Sequence, residues 1–225
     1  MGNLGPKLLE ELQCENVFTI GGIGISESVV VTWIIMAVFL LAAILLTRNL
    51  KVENPGRGQL MLEYIVTWLQ GIGEGIIGEE EKGYASYLTS ILIYLGVANL
   101  IGMLGFKPPT KDLNVTAGLA LMSIFLIEYA GIHKKGFRGW LKSFTQPIAI
   151  VTPINILEVF VKPLSLCMRL FGNVLGAFVI MKLIECILPV GLPVIFSAYF
   201  DVFDGLIQAY EFVFLTGLFI KEAIE

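Results

Sequence analysis

Long apolar runs are the feature that most constrains what this chain can fold into. A helix of about 20 apolar residues crosses the hydrocarbon core of a bilayer and satisfies its own backbone polar groups there. Only 15% of the residues are charged, whereas soluble domains carry about 25%. The sequence therefore predicts an all-α membrane protein with about five transmembrane helices. The five runs are residues 27–47, 84–106, 113–132, 154–188 and 194–221.

A further helical pattern lies over residues 58–78. Its apolar side chains recur at helical spacing, and polar side chains such as Gln59, Glu63 and Glu74 lie between them. This pattern favours an amphipathic helix at the membrane interface over another crossing.

Basic residues set the predicted orientation and division of the chain. Arg48, Lys51 and Arg57 follow the first run, and basic loops stay in the cytoplasm. The N-terminus is then outside and, after five crossings, the C-terminus is cytoplasmic. A second cluster, His133 to Lys142, is expected to form a cytoplasmic loop.

We expect three segments: an extracytoplasmic segment with a short surface helix (1–26), peripheral membrane helices and loops (27–153), and a helical hairpin (154–225).

The last two runs predict a tilted hairpin. Each is longer than the roughly 20 residues that cross a bilayer, so both helices must be strongly tilted. Residues 189–193 carry a proline at each end and a central glycine, which predicts a tight turn between them.

Arg169 lies in the middle of the first of these long runs. An arginine stays protonated at every accessible pH. At membrane depth its charge costs a few kcal/mol or more, which marks a functional position. Gly172, Asn173 and Gly176 share its helix face at about 100° per residue, and small residues let a neighbouring helix approach closely. The alternative is ordinary glycine-mediated packing, with Arg169 paired to a carboxylate.

The returning run carries a second polar stripe. Asp201, Asp204 and Glu211 fall within about 60° of Gln208 on a helix. Carboxylates and an amide on an otherwise apolar helix are expected to line a water-filled cavity or path. Such a stripe can relay a proton or another cation. The alternative, a solvated helix end, applies best to Asp201 and also to Glu185, which lies near the predicted turn.

Other parts of the chain carry weaker signals. Asp112, Asn114 and Glu128 could add polar groups to an ion path, or they could cap and end helices. The sequence holds no Gly-rich phosphate loop and no Cys-x-x-Cys or His-rich cluster. We expect no ATP site, no catalytic residues, no cofactor, no metal and no nucleic-acid partner.

The motif Arg169-Leu-Phe-Gly-Asn173 resembles subunit a of the rotary F-type ATP synthase. Three further motifs fit the same family, and the resemblance covers about residues 27–221. They are Lys162-Pro163-Leu-Ser-Leu, Gln208-Ala209 and Asp112-Leu-Asn-Val-Thr116.

The resemblance implies a non-catalytic stator subunit that translocates ions, with protons as the default and sodium as an alternative. Arg169 would separate two offset half-channels beside a rotating ring of c subunits. Asn173 and Gln208 would orient Arg169, and Asp201 aligns with an access-channel position. We further expect Asp204, Glu211 and Glu185 in the ion path, and Gly172 and Gly176 against the c ring.

The resemblance also implies partners and a location. These are the c ring, the b-subunit peripheral stalk, the remainder of the ATP synthase and the lipid bilayer of a bacterial plasma membrane. The alternative function is a secondary transporter that binds an anionic substrate at Arg169. We find no internal repeat in the sequence to support it.

One position departs from the family pattern. Many relatives carry a glutamate nine residues after the arginine, and this chain carries Phe178 there. The outer half-channel must then use another carboxylate, for which Asp201, Asp204 and Glu185 are the candidates.

Overall fold

The computed structural model describes residues 16–20, 23–48, 50–51, 55–78, 82–104, 107–145, 149–187 and 196–225. Within these ranges, five helices are long and apolar enough to cross a membrane. They are Glu27–Thr47, Gly83–Met103, Leu113–Ser143, Thr152–Glu185 and Ala198–Ile224. The prediction of an all-α membrane protein with five spanning helices is confirmed.

The described elements are two strands, six α-helices and short 3₁₀ and π-helical segments. Two strands, β1 (Asn16–Ile20) and β2 (Ile23–Ser26), pair antiparallel. The helices are α1 (Glu27–Thr47), α2 (Arg57–Ile77), α3 (Lys82–Leu100), α4 (Leu113–Ser143), α5 (Thr152–Ile187) and α6 (Gly205–Ile224). Short 3₁₀ segments cover Ile101–Leu104, Pro109–Lys111 and Ala149–Val151, and a π-helical segment, Ala198–Asp204, leads directly into α6.

Two strands lie in the second half of the N-terminal segment. β1 and β2 form a hairpin whose second strand leads into α1. β-branched and aromatic residues, which favour extended backbone, make up four of the five residues of β1 and two of the four residues of β2. Residues 1–15 lie outside the described residues, so the short surface helix expected within residues 1–26 stays a prediction.

Helix α2 keeps the predicted amphipathic pattern and is not among the five apolar helices. Tyr64 and Trp68 are exposed, whereas Gly73 and Ile77 are buried. A Cβ at Gly73 would lie 3.0 Å from the Ala85 carbonyl oxygen of α3. The glycine therefore lets α2 lie closely against α3.

The expected basic loop after the third run is wrong, because α4 continues through these residues to Ser143. The helix bends at Gly136, whose φ of 71° suits glycine. Trp140 Nε1 donates to Glu128 Oε2 at 2.7 Å, which ties the section after the bend to the section before it. Glu128 thus holds the bent end of α4. The basic residues on this extension are His133, Lys134, Lys135, Arg138 and Lys142.

Asp112 serves as the N-cap of α4. Its side chain accepts a hydrogen bond from the Asn114 backbone N–H at 3.0 Å and another from Ser26 Oγ at 2.6 Å. A cap of this kind stabilises a helix by about 1 kcal/mol. The capping alternative therefore accounts for Asp112, which also joins the start of α4 to the start of α1.

A buried amide fixes the start of α6. Asn99 on α3 accepts from Thr110 Oγ1 at 2.8 Å, and its Nδ2 donates to the Gly205 carbonyl at 2.8 Å. A Cβ at Gly205 would lie 3.0 Å from the Asn99 Cβ. These contacts set the position of α6 against α3.

The core lies where α3, α4 and α6 meet, with α5 against one side. Its largest fully buried side chains include Leu88, Ile127, Leu170 and Phe212, one from each helix. Helices in lipid gain no hydrophobic driving force from one another, so close packing around small residues holds them together. Gly217 on α6 is such a residue, because a Cβ there would overlap Ile76 and lie 3.0 Å from Leu88 Cδ1.

We expect Gly217→Ala to destabilise the chain. Overpacking costs about 1–3 kcal/mol, which exceeds the roughly 1 kcal/mol that alanine gains over glycine in a helix. Thermal unfolding of the purified chain in detergent should show a lower melting temperature. The matched control is Gly75→Ala, where a Cβ meets nothing within 4 Å and stability should be kept or raised. Equal melting temperatures for the two variants would contradict this account of the α2–α3–α6 packing.

Candidate ion-translocation site

Polar side chains of α5 and α6 meet in two neighbouring contacts, which we call the arginine site. Asn173 Nδ2 donates to Gln208 Oε1 at 2.6 Å. One turn away, Arg169 Nη1 lies 3.9 Å from Glu211 Oε2. The two contacts step along α5 and α6 in opposite directions, which shows that the helices run antiparallel here. The structure thus brings together four residues that sequence reasoning assigned to two separate helices.

Gln208 is the buried member of the arginine site. It is 2% exposed, and its Nε2 has no hydrogen-bond partner among the described residues. An unsatisfied buried donor costs about 1–3 kcal/mol, and such atoms occur mainly at functional positions. Asn173 is exposed, so the bond between the two amides connects the interior of the chain to its surface.

Arg169 and Glu211 form a loose, half-exposed ion pair. Their side chains are 43% and 44% exposed, and the distance of 3.9 Å is too long for a hydrogen bond. The chain therefore supplies a counter-charge to Arg169 without enclosing it. Pairing of Arg169 with a carboxylate is the part of the packing alternative that the structure shows, and the carboxylate is Glu211.

Gly172 and Gly176 face open space. A Cβ at either glycine would meet nothing within 4 Å, whereas a Cβ at Gly205 or Gly217 would press on a neighbouring helix. Packing inside the described part of this chain therefore gives no reason for small residues at positions 172 and 176. They leave a shallow surface beside Arg169 that a neighbouring helix can approach closely.

The acidic stripe continues towards the start of α6. Asp204 ends the π-helical segment and lies two turns before Glu211 along the helix. The backbone of Asp201 lies in the same segment, and its side chain is outside the described residues. Asp204, Gln208 and Glu211 thus follow one side of the helix at intervals of three to four residues.

Glu185 is separate from the arginine site. It accepts a hydrogen bond from Lys182 Nζ at 3.0 Å on the same helix. Sixteen residues separate it from Arg169 along α5, a distance of about 24 Å at 1.5 Å per residue. The predicted turn at 189–193 lies outside the described residues.

Two lysine side chains lie over the ring of Phe178, at the position where many relatives are expected to have a glutamate. Lys111 Nζ lies 4.4 Å from the centroid of its ring, and Lys182 Nζ lies 5.8 Å away. Both distances fit cation–π contacts. Lys111 is only 4% exposed. Sequence reasoning missed it, because a turn lysine and a ring 67 positions later show no local pattern that would connect them.

An ion pair outside the arginine site joins α5 to the C-terminal end of α6. Lys162 Nζ lies 3.1 Å from Glu222 Oε2 on α6 and 3.5 Å from Glu158 Oε2 on α5. Lys162 precedes Arg169 by seven residues, or about 10 Å along the helix. Sequence reasoning also missed Glu222, whose pairing depends on the register between α5 and α6.

The comparisons with known proteins give the same family as the Arg169 motif. The sequence model of a family described as ATP synthase A chain matches residues 29–221. The chain belongs to the ATP synthase subunit a family. The family resemblance seen in the sequence is confirmed, and the chain is a multi-pass member of the membrane sector of an ATP synthase, an ion-translocating subunit.

Individual relatives cover almost the whole chain. ATP synthase subunit a of Moorella thermoacetica is 38% identical over 92% of this chain and 95% of its own. ATP synthase subunit a 2 of Bradyrhizobium sp. is 37% identical over 92% of this chain and 93% of its own. A protein of Propionigenium modestum, named ATP synthase subunit a, sodium ion specific, is 30% identical over 90% of this chain and 75% of its own.

Proposed function

We propose that the chain is the stator subunit in which Arg169 separates two offset half-channels beside a rotating ring of c subunits. The observation that carries the proposal is the setting of Arg169. A permanent charge in an apolar helix is half exposed, beside two glycines that pack against nothing in the described chain. A charge placed this way can act on a partner that slides past it.

The proposed mechanism is electrostatic. Two unit charges 4 Å apart interact by about 4 kcal/mol at an effective dielectric constant of about 20. Arg169 therefore attracts an ionised ring carboxylate and repels a free cation, which blocks a direct leak between the half-channels. Each elementary charge that crosses the membrane gains about 2.3 kcal/mol per 100 mV, and this energy biases the rotation.

Asp204 is the best supported carboxylate for the outer half-channel. It lies on the same side of the helix as Gln208 and Glu211, whereas Glu185 is engaged by Lys182. With the C-terminus in the cytoplasm, the segment that holds Asp201 and Asp204 faces the outer side. We therefore assign Asp204, with Asp201, to the path that replaces the family glutamate at Phe178.

The open side of α5 is the proposed face towards the c ring. Gly172 and Gly176 would let a ring helix come close to Arg169. Further proposed partners are the b-subunit peripheral stalk and the remainder of the complex. The proposed location is a bacterial plasma membrane, with residues 1–26 outside, 27–153 as peripheral helices and 154–225 as the tilted hairpin.

Protons are the default coupling ion in this proposal. One relative at 30% identity is named sodium ion specific, so sodium stays the alternative. The choice rests on the ion site of the c ring, which is in another chain. A secondary transporter with an anionic substrate at Arg169 is less well supported, because the sequence holds no internal repeat and the chain belongs to the ATP synthase subunit a family.

Arg169→Ala should abolish coupled ATP synthesis and ATP-driven ion pumping in membrane vesicles. The expected loss is complete, because no other residue in the arginine site carries a positive charge. The control is Lys162→Ala, which removes a cation of the same helix outside the site and should keep most of the activity. Normal ion pumping by Arg169→Ala would overturn the proposed function.

Cysteines in the acidic stripe should react with a charged, water-soluble thiol reagent. We expect modification of Asp204→Cys and Glu211→Cys in the assembled complex, because both would line an aqueous path. Leu206→Cys is the matched control, since Leu206 is 45% exposed but lies about 140° around the helix from Glu211. Full protection of both stripe cysteines would contradict an aqueous half-channel.

Proton coupling predicts that sodium will not protect the complex from a carbodiimide that modifies ring carboxylates. Sodium bound at a carboxylate blocks this reaction, whereas a proton site does not bind sodium and stays open to modification. The measurement is residual ATP synthesis after treatment with and without sodium chloride, with potassium chloride as the control. Protection by sodium alone would reverse the choice of ion and leave the role of Arg169 in place.

A further inference from the structure

We infer that Glu211 is an internal counter-ion for Arg169 that exchanges with the carboxylates of the c ring as they pass. This inference rests on the proposed function and adds a positioning residue to it. Each ring carboxylate would displace Glu211 when it arrives at Arg169, and Glu211 would return when it leaves.

Glu211 is placed for this role by the structure. Among the described residues it is the carboxylate within 4.0 Å of the Arg169 guanidinium. Its neighbour one turn earlier, Gln208, is held by Asn173 at 2.6 Å. This hydrogen bond between two side-chain amides fixes the rotation of α6 against α5. Glu211 therefore stays within reach of Arg169 even though its own contact is loose.

The length of the Arg169–Glu211 contact distinguishes an exchangeable pair from a structural one. The Lys162–Glu222 and Lys182–Glu185 contacts measure 3.1 Å and 3.0 Å, within hydrogen-bond range. Arg169 and Glu211 are 3.9 Å apart, and more than two fifths of each side chain is exposed. A guanidinium has five N–H donors, so a second carboxylate can approach Arg169 before Glu211 withdraws.

Exchange has a physical advantage at membrane depth. A guanidinium without a partner is unfavourable there, so an arginine with only ring carboxylates as partners would resist the release of each one. A resident carboxylate takes over at release and brings the bound and released states closer in energy. Ring rotation then replaces the ion pair between Arg169 and a ring carboxylate by the pair between Arg169 and Glu211.

The test compares Glu211→Gln, Glu211→Asp and the unchanged chain in the full ATP synthase in membrane vesicles. Rates are normalised to the amount of assembled complex. Glu211→Gln should slow ATP synthesis about tenfold, a change that corresponds to about 1.4 kcal/mol in the barrier. Glu211→Asp keeps a carboxylate at this position and should stay within about twofold of the unchanged chain.

The dependence on membrane potential separates this role from a structural one. The field helps to remove the ring carboxylate from Arg169, so the deficit of Glu211→Gln should shrink as the potential rises. A variant that is merely misfolded loses the same fraction of its rate at every potential. Glu222→Gln is the control, because it removes a carboxylate from an α5–α6 ion pair away from Arg169 and should show no such dependence.

The outcomes distinguish this inference from the proposed function. If Arg169→Ala abolishes synthesis while Glu211→Gln matches the unchanged chain at every potential, the counter-ion role is wrong and the stator role stands. A potential-independent deficit in Glu211→Gln, or the same potential dependence in Glu222→Gln, also overturns the inference. Activity in Arg169→Ala would overturn both the inference and the proposed function.

Discussion

The charge of Arg169 within an apolar helix is the constraint that the contacts between α5 and α6 have to meet. A guanidinium in an apolar helix needs a counter-charge, and α6 supplies it at 3.9 Å. The neighbouring Asn173–Gln208 bond, at 2.6 Å, sets the rotation of one helix against the other. One contact is firm and the other is loose. The chain can therefore hold α6 in place and still leave Arg169 accessible to a partner.

Glycines on α5 and α6 have different surroundings. On α6, Gly205 and Gly217 lie against Asn99 and Ile76, so their lack of a side chain lets α6 enter the core. On α5, Gly172 and Gly176 meet nothing within 4 Å. In lipid, a small residue allows close approach of the adjacent surface. The two pairs of glycines therefore differ in whether that surface belongs to the described chain. On α5, no part of the described chain comes that close to either glycine.

The surroundings of Phe178 show how this chain differs from the family pattern expected from its sequence. Lys111 is buried over the Phe178 ring, and Lys182 reaches the same ring from the next turn of α5. Positive charge therefore collects where the family is expected to carry a negative one. Asp204, on the stripe with Gln208 and Glu211, offers a carboxylate on another helix. This arrangement is consistent with an entry path along α6 in place of one along α5.

The sequence by itself determined the spanning helices, the amphipathic helix, the charge at Arg169 and the stripe from Asp204 to Glu211, because hydropathy and helical periodicity are local properties. It did not determine the β1–β2 hairpin or the continuation of α4 past Gly136, where the Trp140–Glu128 hydrogen bond joins the two sections of the helix. Tertiary structure alone decided that Glu211 lies at Arg169, that Gln208 is buried and that Lys111 covers Phe178. Each of these contacts depends on the rotation and register of helices distant in sequence, which a periodic pattern leaves open.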